Sequence, residues 1–406
     1  MVERYGYEEK PLYVRNNDVR SQFVRDYTRI LHSCAFRRLK HKTQVFFNIG
    51  NDHVCTRMEH VFHVESVSSV IAKHLGLNEE LTNAIAIGHD IGHAPFGHHG
   101  ERIINKLAKE YTKQSFWHEK NGLRFVDSIE LLEDDKATFR NLGLTYAVRD
   151  GIVSHCGEID INGLSPRRRV TELESIRRKN QYNPATWEAC VVKVADKIAY
   201  VGRDIEDATR LGFFTESQKR ELLSIAREYD FHTTNTTAIM NGLIYDICEN
   251  SSLERGISLS DQSFNHLKRI YSFSADSIYK HERLMPFEKY SELVIMEIFN
   301  VLFSQYTTDG ERTIYKLKEQ VECFPNLIRS FLRWLSAYCD TKLVESFPFK
   351  KNILCFDNKK VFGNLETKQM YAQAIIDYIS GMTDRYAIEI FDDLITIQDQ
   401  PKLFND

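Results

Sequence analysis

The most informative stretch of the sequence is residues 88–101, which read Gly88-His89-Asp90-Ile91-Gly92-His93-Ala94-Pro95-Phe96-Gly97-His98-His99-Gly100-Glu101. Four of the fifteen histidines of the chain stand in this stretch, beside two carboxylates. Imidazole and carboxylate groups are the side chains that bind divalent metals and move protons near neutral pH. Glycines and a proline interrupt the local helix, so the backbone turns and the polar groups converge. Helix capping or a solvated face explains one or two of these histidines but not their density, and we predict a functional site here.

Amphipathic helices precede this stretch. Apolar residues at helical spacing predict one helix over 21–47 and another over 56–75. A third helix is predicted over 79–91, with Asn78 as its N-cap, and it runs directly into the histidine-rich stretch.

Residues 102–150 and 215–340 are also predicted to be mainly helical, whereas residues 1–20 and 157–183 are expected to form an extended arm and a charged surface excursion. A strong helix is expected over 184–211, with Pro184 in its first turn. Residues 346–362 are expected to form a small β-hairpin, and residues 367–379 a last helix. The predicted fold is therefore all-α, with a small β-hairpin near the C-terminus.

Bulk composition sets the class of protein. The chain has 406 residues, 42% of them hydrophobic and 27% charged, which is typical of a globular protein with a large core. We expect one unit over 1–406, with a metal-binding core over about 25–215 and a C-terminal helical region over about 216–406. The net charge of −4 gives no global argument for nucleic-acid binding.

Compartment and membrane association are judged from the cysteines and the apolar runs. The eight cysteines form no Cys-x-x-Cys pair, which argues against a zinc ribbon and favours a reducing cytosol. The first residues are charged and lack the apolar segment of a secretory signal. No apolar run approaches the length of a membrane span. We therefore expect a cytoplasmic protein that does not associate with membranes.

A divalent metal with nitrogen and oxygen ligands needs several histidines and carboxylates to converge. His89 and Asp90 are adjacent at the end of a predicted helix. His60 lies on the preceding helix, which is an expected antiparallel neighbour. Asp196 lies in an apolar helical stretch, where a buried carboxylate needs a partner such as a metal.

Asp196 also begins a polar stripe on its helix. Tyr200 and Asp204 follow at i+4 and i+8 and therefore lie on the same face. A ladder of salt bridges to neighbouring lysine and arginine residues accounts for this stripe equally well.

The ordered set His60, His89-Asp90 and Asp196 resembles the signature of the HD-domain metal-dependent phosphohydrolases. Within that superfamily the chain resembles the deoxyguanosine-triphosphate triphosphohydrolase family, over about residues 20–390. The supporting motifs are RDYTRILHS (25–33), FRRL (36–39), KTQVF (42–46), LGLNE (75–79), IDYI (376–379) and GMTDR (381–385).

The resemblance implies an HD-domain helical fold. It also implies hydrolysis of a deoxynucleoside triphosphate to a deoxynucleoside and inorganic triphosphate, with cleavage between the 5′ oxygen and the α-phosphorus. The implied cofactor is a divalent metal, Mn²⁺ or Mg²⁺, with Fe, Co or Ni as further candidates. The implied assembly is a homo-oligomer, a hexamer or a tetramer, with nucleotide or single-stranded DNA as a possible allosteric partner.

Site residues follow from the resemblance by position. The implied metal ligands are His60, His89, Asp90 and Asp196. The implied catalytic residues are His98 and Glu101, as a pair near the attacking water or the leaving oxygen, and His93 and His118, which neutralise the triphosphate. The implied substrate-binding residues are Arg57 and Lys197 for the phosphates, Gln44, Tyr200 and Asp204 for the sugar, and Tyr279 for excluding ribose.

Other interpretations stay open. Alone, His118 is more simply a surface histidine, Arg57 a partner of Glu59, and His155-Cys156 a structural pair. The chain also departs from the family pattern at Glu59, Val61 and His63, which puts metal preference in doubt.

Two other functions also compete with the implied one. The first is an HD phosphohydrolase of another nucleotide. The second is a nucleotide-responsive or single-strand-binding regulator with weak catalysis, whose phosphate contacts would come from residues 167–169 and 177–179.

Overall fold

α-Helices dominate the computed structural model, which describes residues 18–47, 53–156, 161–233, 237–340, 343 and 355–396. The helices of the N-terminal half are α1 (Gln22–His32), α2 (Cys34–Arg38), α3 (Arg57–His74), α4 (Glu79–Gly88), α5 (Gly97–Leu107), α6 (His118–Arg124), α7 (Tyr146–Ser154) and α8 (Trp187–Arg210). Those of the C-terminal half are α9 (Glu216–Tyr229), α10 (Thr237–Asn250), α11 (Asp261–Ser274), α12 (Met285–Phe303), α13 (Gly310–Glu319), α14 (Pro325–Tyr338), α15 (Lys368–Ser380) and α16 (Asp384–Ile395). The expectation of a mainly α-helical fold is confirmed. Within the described ranges, none of the helices has the length and apolarity needed to cross a membrane.

Helix α4 lies inside the packing of the N-terminal half. It contacts α1, α3, α7 and α8, and its consecutive residues Ala84, Ile85, Ala86 and Ile87 have no exposed surface. A helix that is apolar all round is one that is buried all round. Its C-terminal end therefore delivers the histidine-rich stretch into the interior of the protein.

The predicted helices are present, with shifts that local hydrogen bonds explain. Asn78 caps α4 as expected, because its side chain accepts a hydrogen bond from the amide of Leu81 at 3.0 Å. Helix α4 ends at Gly88, three residues before the predicted end, since the following residues form turns. The predicted helix over 21–47 is divided at Ser33, which ends α1 and caps α2 through the amide of Phe36. The helical region also stops at His41, so residues 42–47 of that prediction are not helical.

Two predictions downstream need correction. The N-cap of α8 is Thr186, so Pro184 lies outside the helix and not in its first turn. The final predicted helix corresponds to α15, within one residue at each end, but α16 follows it after a short turn and was not predicted.

A small sheet of three strands contains β1 (Leu131–Glu133), β2 (Thr138–Asn141) and β3 (Cys355–Phe356). Strands β1 and β2 form an antiparallel hairpin, and β3 pairs with β2 in parallel through Thr138↔Cys355 and Phe139↔Phe356. The strand β3 falls within the predicted hairpin over 346–362. However, Val361 and Phe362 lie in a turn and do not form the second strand of the predicted hairpin. β3 pairs instead with β2, which is more than 200 residues earlier in the sequence. Residues 346–354 of that prediction lie outside the described residues.

Candidate functional site

Three helices bring together the four residues predicted as metal ligands. His60 lies on α3, His89 and Asp90 follow the last turn of α4, and Asp196 lies on α8. These helices pack against one another. His60 Nε2 is 3.1 Å from Asp196 Oδ1, and His89 Nε2 is 3.8 Å from the same oxygen and 3.6 Å from Asp90 Oδ1. All four side chains are buried.

The donor atoms of this cluster fit a divalent metal. His89 Nδ1 donates a hydrogen bond to the carbonyl of Ala86 at 2.6 Å, which leaves its Nε2 as an acceptor that faces the carboxylates. That buried Nε2 has no hydrogen-bond partner in the described part of the chain. A backbone carbonyl bound to the far nitrogen is the usual way in which a metal-binding histidine is oriented. Two imidazoles and two carboxylates form a mixed nitrogen and oxygen set suited to such ions.

Both carboxylates of the cluster are held in the ionised form that a metal requires. Burial opposes their ionisation, but nearby positive groups outweigh it and keep both pKa values well below the usual range. For Asp90 these groups include His93 and Arg57, whose Nη1 donates to Asp90 Oδ2 at 2.7 Å. For Asp196 they include Lys197, whose Nζ lies 3.0 Å from Asp196 Oδ2.

A second group of imidazoles lies beside the first. The rings of His93 and His118 are stacked with centroids 3.7 Å apart. His118 reaches this position because α6 passes very close to Gly92, where an added Cβ would lie 2.1 Å from the carbonyl oxygen of His118. His118 is therefore buried and not a surface histidine.

The carboxylate of Glu101 has a closer partner than the predicted one. Its Oε2 lies 2.7 Å from His118 Nδ1 but 3.7 Å from His98 Nδ1. Burial would lower the pKa of His118, but the Glu119 and Glu101 carboxylates outweigh burial and raise it. His98, Glu101 and His118 therefore lie together, and the hydrogen bond of Glu101 is with His118 and not with His98.

The residues predicted to hold the sugar lie on the other side of the cluster. Tyr279, in a π-helical turn after α11, donates its hydroxyl to Asp204 Oδ2 at 2.6 Å. Burial raises the pKa of Asp204 to about 7. The ammonium of Lys197 lies 5.5 Å from the ring centroid of Tyr200. Gln44 contributes a buried side-chain oxygen with no hydrogen-bond partner among the described residues.

One cavity of about 400 Å³ joins these groups. Its lining contains most of the predicted site residues: Gln44, Arg57, His60, Asp90, His93, His98, His118, Asp196, Lys197, Tyr200, Asp204 and Tyr279. The other two predicted residues lie next to lining residues: His89 beside Asp196, and Glu101 beside His118. A cavity of this size accommodates a small ligand such as a nucleotide.

The cavity lining also contains three polar side chains that were not among the predicted site residues of the enzyme: Glu119, His155 and Lys179. His155 repeats the local pattern of His89, because its Nδ1 lies 2.7 Å from the carbonyl of Ile152 three residues earlier. A histidine at the end of a buried helix was the signal that could have identified it. Lys179 belongs to the basic tract over 177–179, which the regulator hypothesis names for phosphate contacts, but no local pattern predicts its entry into this cavity.

Arg167 of the basic tract over 167–169 is engaged by the protein itself, and none of residues 167–169 is a lining residue of the cavity. Arg167 Nη2 lies 2.5 Å from Asp150 Oδ1 and 2.6 Å from the hydroxyl of Tyr146, and its Nη1 donates to the carbonyl of Asn183. Arg167 therefore holds the loop before α8 against α7.

The departures near the first predicted ligand also have local explanations. Glu59 accepts a hydrogen bond from the amide of Thr56 at 2.7 Å and forms a capping box at the start of α3. Its carboxylate is thus directed to the helix terminus and not to the cluster. Val61 is fully buried, and burial together with the charge of Arg203 lowers the pKa of the half-buried His63 to about 4.

Comparison with known proteins gives matches over almost the whole chain. The HD domain family matches residues 57–201, and the phosphohydrolase-associated domain family matches residues 342–393. A protein of Caldanaerobacter subterraneus subsp. tengcongensis is 31% identical, over 91% of this chain and 84% of that protein. A protein of Nitrosomonas europaea is 33% identical, over 93% of this chain and 92% of that protein. A protein of Rickettsia felis is 30% identical, over 96% of this chain and 94% of that protein. Each of the three is named deoxyguanosinetriphosphate triphosphohydrolase-like protein.

Proposed function

The chain belongs to the HD-domain family of deoxyguanosinetriphosphate triphosphohydrolase-like proteins, and from this premise we propose that it hydrolyses deoxynucleoside triphosphates to a deoxynucleoside and inorganic triphosphate. Membership makes the chain a metal-dependent phosphohydrolase. The substrate class and the residue roles are our proposal. The observation that carries it is a single cavity, whose lining contains three members of the metal-type cluster, the cations Arg57 and Lys197 and the hydrogen-bonded Asp204–Tyr279 pair.

His60, His89, Asp90 and Asp196 are the residues that would hold the metal. A bound divalent metal supplies Lewis-acid polarisation of a phosphate oxygen and lowers the pKa of a bound water. The unpartnered Nε2 of His89 and the two ionised carboxylates support this assignment.

Two positive side chains and one buried histidine of the cavity would bind and orient the triphosphate. Arg57 and Lys197 carry permanent charge beside the cluster, and His93 lies between Asp90 and His118. Phosphoryl transfer depends mostly on positioning and on neutralisation of charge. These three side chains would therefore align the α-phosphorus for attack by water and stabilise the departing triphosphate.

The group formed by His98, Glu101 and His118 would move the proton. Cleavage of the bond between the 5′ oxygen and the α-phosphorus by water leaves the deoxynucleoside with a 5′ hydroxyl and the phosphates as triphosphate. Water supplies the oxygen added to phosphorus, and one of its protons reaches the 5′ oxygen. An imidazole oriented by a carboxylate suits both removal and delivery of a proton, and Glu101 orients His118 through the 2.7 Å contact.

The sugar would lie against Asp204 and Tyr279. Since the hydroxyl of Tyr279 engages Oδ2 of Asp204, the other carboxylate oxygen is the acceptor we propose for the 3′-hydroxyl. The phenol ring would crowd the 2′ position and disfavour ribose. Tyr200 and Gln44 would complete this side of the pocket.

The test is a grid of the four deoxynucleoside triphosphates against Mn²⁺, Mg²⁺, Fe²⁺, Co²⁺ and Ni²⁺, with identification of products by chromatography. Triphosphate and deoxynucleoside in equal amounts are the expected products. Stepwise release of orthophosphate, or no turnover of any of the four, would reject the proposal. Equal turnover of ribonucleotides in competition would favour an HD phosphohydrolase of another nucleotide.

Assembly and regulation by nucleotide or DNA are also proposals, taken from the family resemblance. Location in the cytoplasm is a proposal taken from the cysteine pattern and the apolar runs of the sequence. Light scattering with and without deoxynucleoside triphosphate tests for the expected tetramer or hexamer. A monomer under both conditions would contradict that expectation.

A further inference from the structure

The loop between α7 and α8 places one lysine inside the cavity. Lys179 Nζ lies 3.0 Å from Glu101 Oε1 and 3.9 Å from Glu119 Oε2. Partial burial would lower the pKa of Lys179, but these carboxylates outweigh burial and raise it, so the side chain carries its charge. Glu101 is consequently held at both oxygens, by Lys179 on one and by His118 on the other.

The backbone next to Lys179 is tied to the protein core. Asn180 has a φ of +54°, in the left-handed region that is unfavourable for a residue with a side chain. Its amide donates to Cys156 Sγ at 3.2 Å, and its side-chain oxygen accepts from Lys193 Nζ at 2.6 Å. Cys156 and Lys193 are both buried, at the end of α7 and on α8. These contacts hold the loop in the conformation that directs Lys179 inward.

We infer that Lys179 is a positioning residue, which fixes the Glu101 carboxylate so that Glu101 in turn holds His118 in the orientation for proton transfer. The inference rests on the proposed function. A carboxylate anchored at one oxygen retains rotation about its last bond, whereas anchoring at both oxygens removes it. Preorganisation of this kind acts mainly on the chemical step and less on the binding of substrate.

The first experiment compares three variants in steady-state kinetics: Lys179→Met, Lys179→Arg and the control Lys136→Met. Lys136 is an exposed lysine in the turn between β1 and β2. For Lys179→Met we expect kcat to fall about tenfold or more while KM changes less than about threefold. Lys179→Arg is expected to recover much of the loss because it restores a cation, and Lys136→Met to behave as the wild type.

Other outcomes overturn the inference. A rise in KM with unchanged kcat would show that Lys179 binds the substrate phosphates instead. Equal losses in Lys179→Met and Lys179→Arg, with a lowered melting temperature in both, would show a structural role alone. Metal content is measured in every variant and is expected to equal that of the wild type.

A second variant tests whether the contacts of Asn180 hold the loop in place. Asn180→Ala removes the acceptor for Lys193 and leaves an unfavourable φ, so we expect a smaller loss of kcat with KM again maintained. Unchanged kcat and KM in Asn180→Ala would show that the contacts of Asn180 do not hold Lys179 in position. If the wild type releases no triphosphate, the proposed function fails; if it does and Lys179→Met matches it, only this inference fails.

Discussion

Asp196 and His98 differ in their relation to the buried cluster. Asp196 is enclosed by His60, His89 and Lys197, whereas the side chain of His98 is 67% exposed on the wall of the cavity. Replacing Asp196, within the cluster, should change metal content. Replacing His98, on the wall of the cavity, should change turnover without changing metal content.

We therefore predict that Asp196→Ala loses both bound metal and activity, because an ionised ligand is removed. His98→Ala is expected to keep its metal and to lose turnover by about 10²-fold or more, the usual contribution of an acid–base residue. Elemental analysis and product assays on both variants decide the matter. Loss of metal in the His98 variant with retention in the Asp196 variant would reverse the assignment.

Asp204 provides a pH prediction at the same scale. Its pKa is about 7 in the folded protein against 3.8 for the unperturbed carboxyl group. Between these values the folded state binds the extra proton, so the contribution of this group to stability is present at low pH and lost as pH rises through about 7.

Asp204→Asn replaces the group with a neutral one at every pH. We expect the variant to be more stable than the wild type by about 1–3 kcal/mol at pH 8.5, since no buried charge has to form. At pH 5 this advantage should be smaller, because the folded state is then protonated, and it should vanish only below about pH 3.8, where the carboxyl group is protonated in both states. Thermal melts at the two pH values measure the difference, and an equal difference at both would contradict the raised pKa.

The N-terminus of helix α3 explains one departure of the chain from the family pattern, the glutamate at position 59. Glu59 replaces the residue expected before His60, yet it serves the N-terminus of α3 through its hydrogen bond with Thr56. The exposed Glu59 therefore stabilises the start of the helix, although it is adjacent in sequence to the buried His60, the proposed metal ligand.

We predict that Glu59→Ala lowers the free energy of unfolding by about 1 kcal/mol, the usual contribution of a cap. Thr56→Ala, which removes the reciprocal half of the box, is the matched variant and should show a similar loss. Metal content and metal preference are expected to stay unchanged in both. Altered metal content in Glu59→Ala alone would instead place this carboxylate in the surroundings of the metal.

At the scale of the whole molecule, Lys42 and Asp384 connect three distant segments. Lys42 Nζ donates to the carbonyl of His93 and to that of Ser380, the latter at 3.0 Å. The carboxylate of Asp384 accepts hydrogen bonds from the amides of Thr43, at 2.9 Å, and Phe96, at 2.8 Å. The N-terminal and C-terminal motifs thus meet at the turn between Asp90 and His98.

Asp384→Ala should therefore affect both stability and activity, although Asp384 is not a lining residue of the active-site cavity. The buried amide of Phe96 and the half-buried amide of Thr43 would lose their acceptor, at a cost of about 2–4 kcal/mol. The turn that begins α5 at Phe96, which has a φ of +64°, would lose its anchor. We expect lower kcat and a lower melting temperature, with Asp384→Asn intermediate; full activity in Asp384→Ala would show that the turn holds without this contact.

We also propose that residues 1–406 unfold as one unit. Contacts between α5 and α12 and between α12 and α15 join the metal-binding core to the C-terminal helices. Calorimetry of the metal-loaded protein should show one cooperative transition. Two separated transitions would contradict this proposal and divide the chain into independent units.

The sequence by itself predicted the helical fold, the capping of α4 and the candidate site residues. These follow from local periodicity, from capping residues and from ordered motifs, all of which are readable within a short window of sequence. The tertiary structure decided which residues are partners. The 2.7 Å contact of Glu101 with His118, the pairing of β3 with β2, the entry of Lys179 into the cavity and the Asp384 contacts all join residues far apart in sequence. Such contacts depend on how helices pack in three dimensions, and no local pattern specifies them.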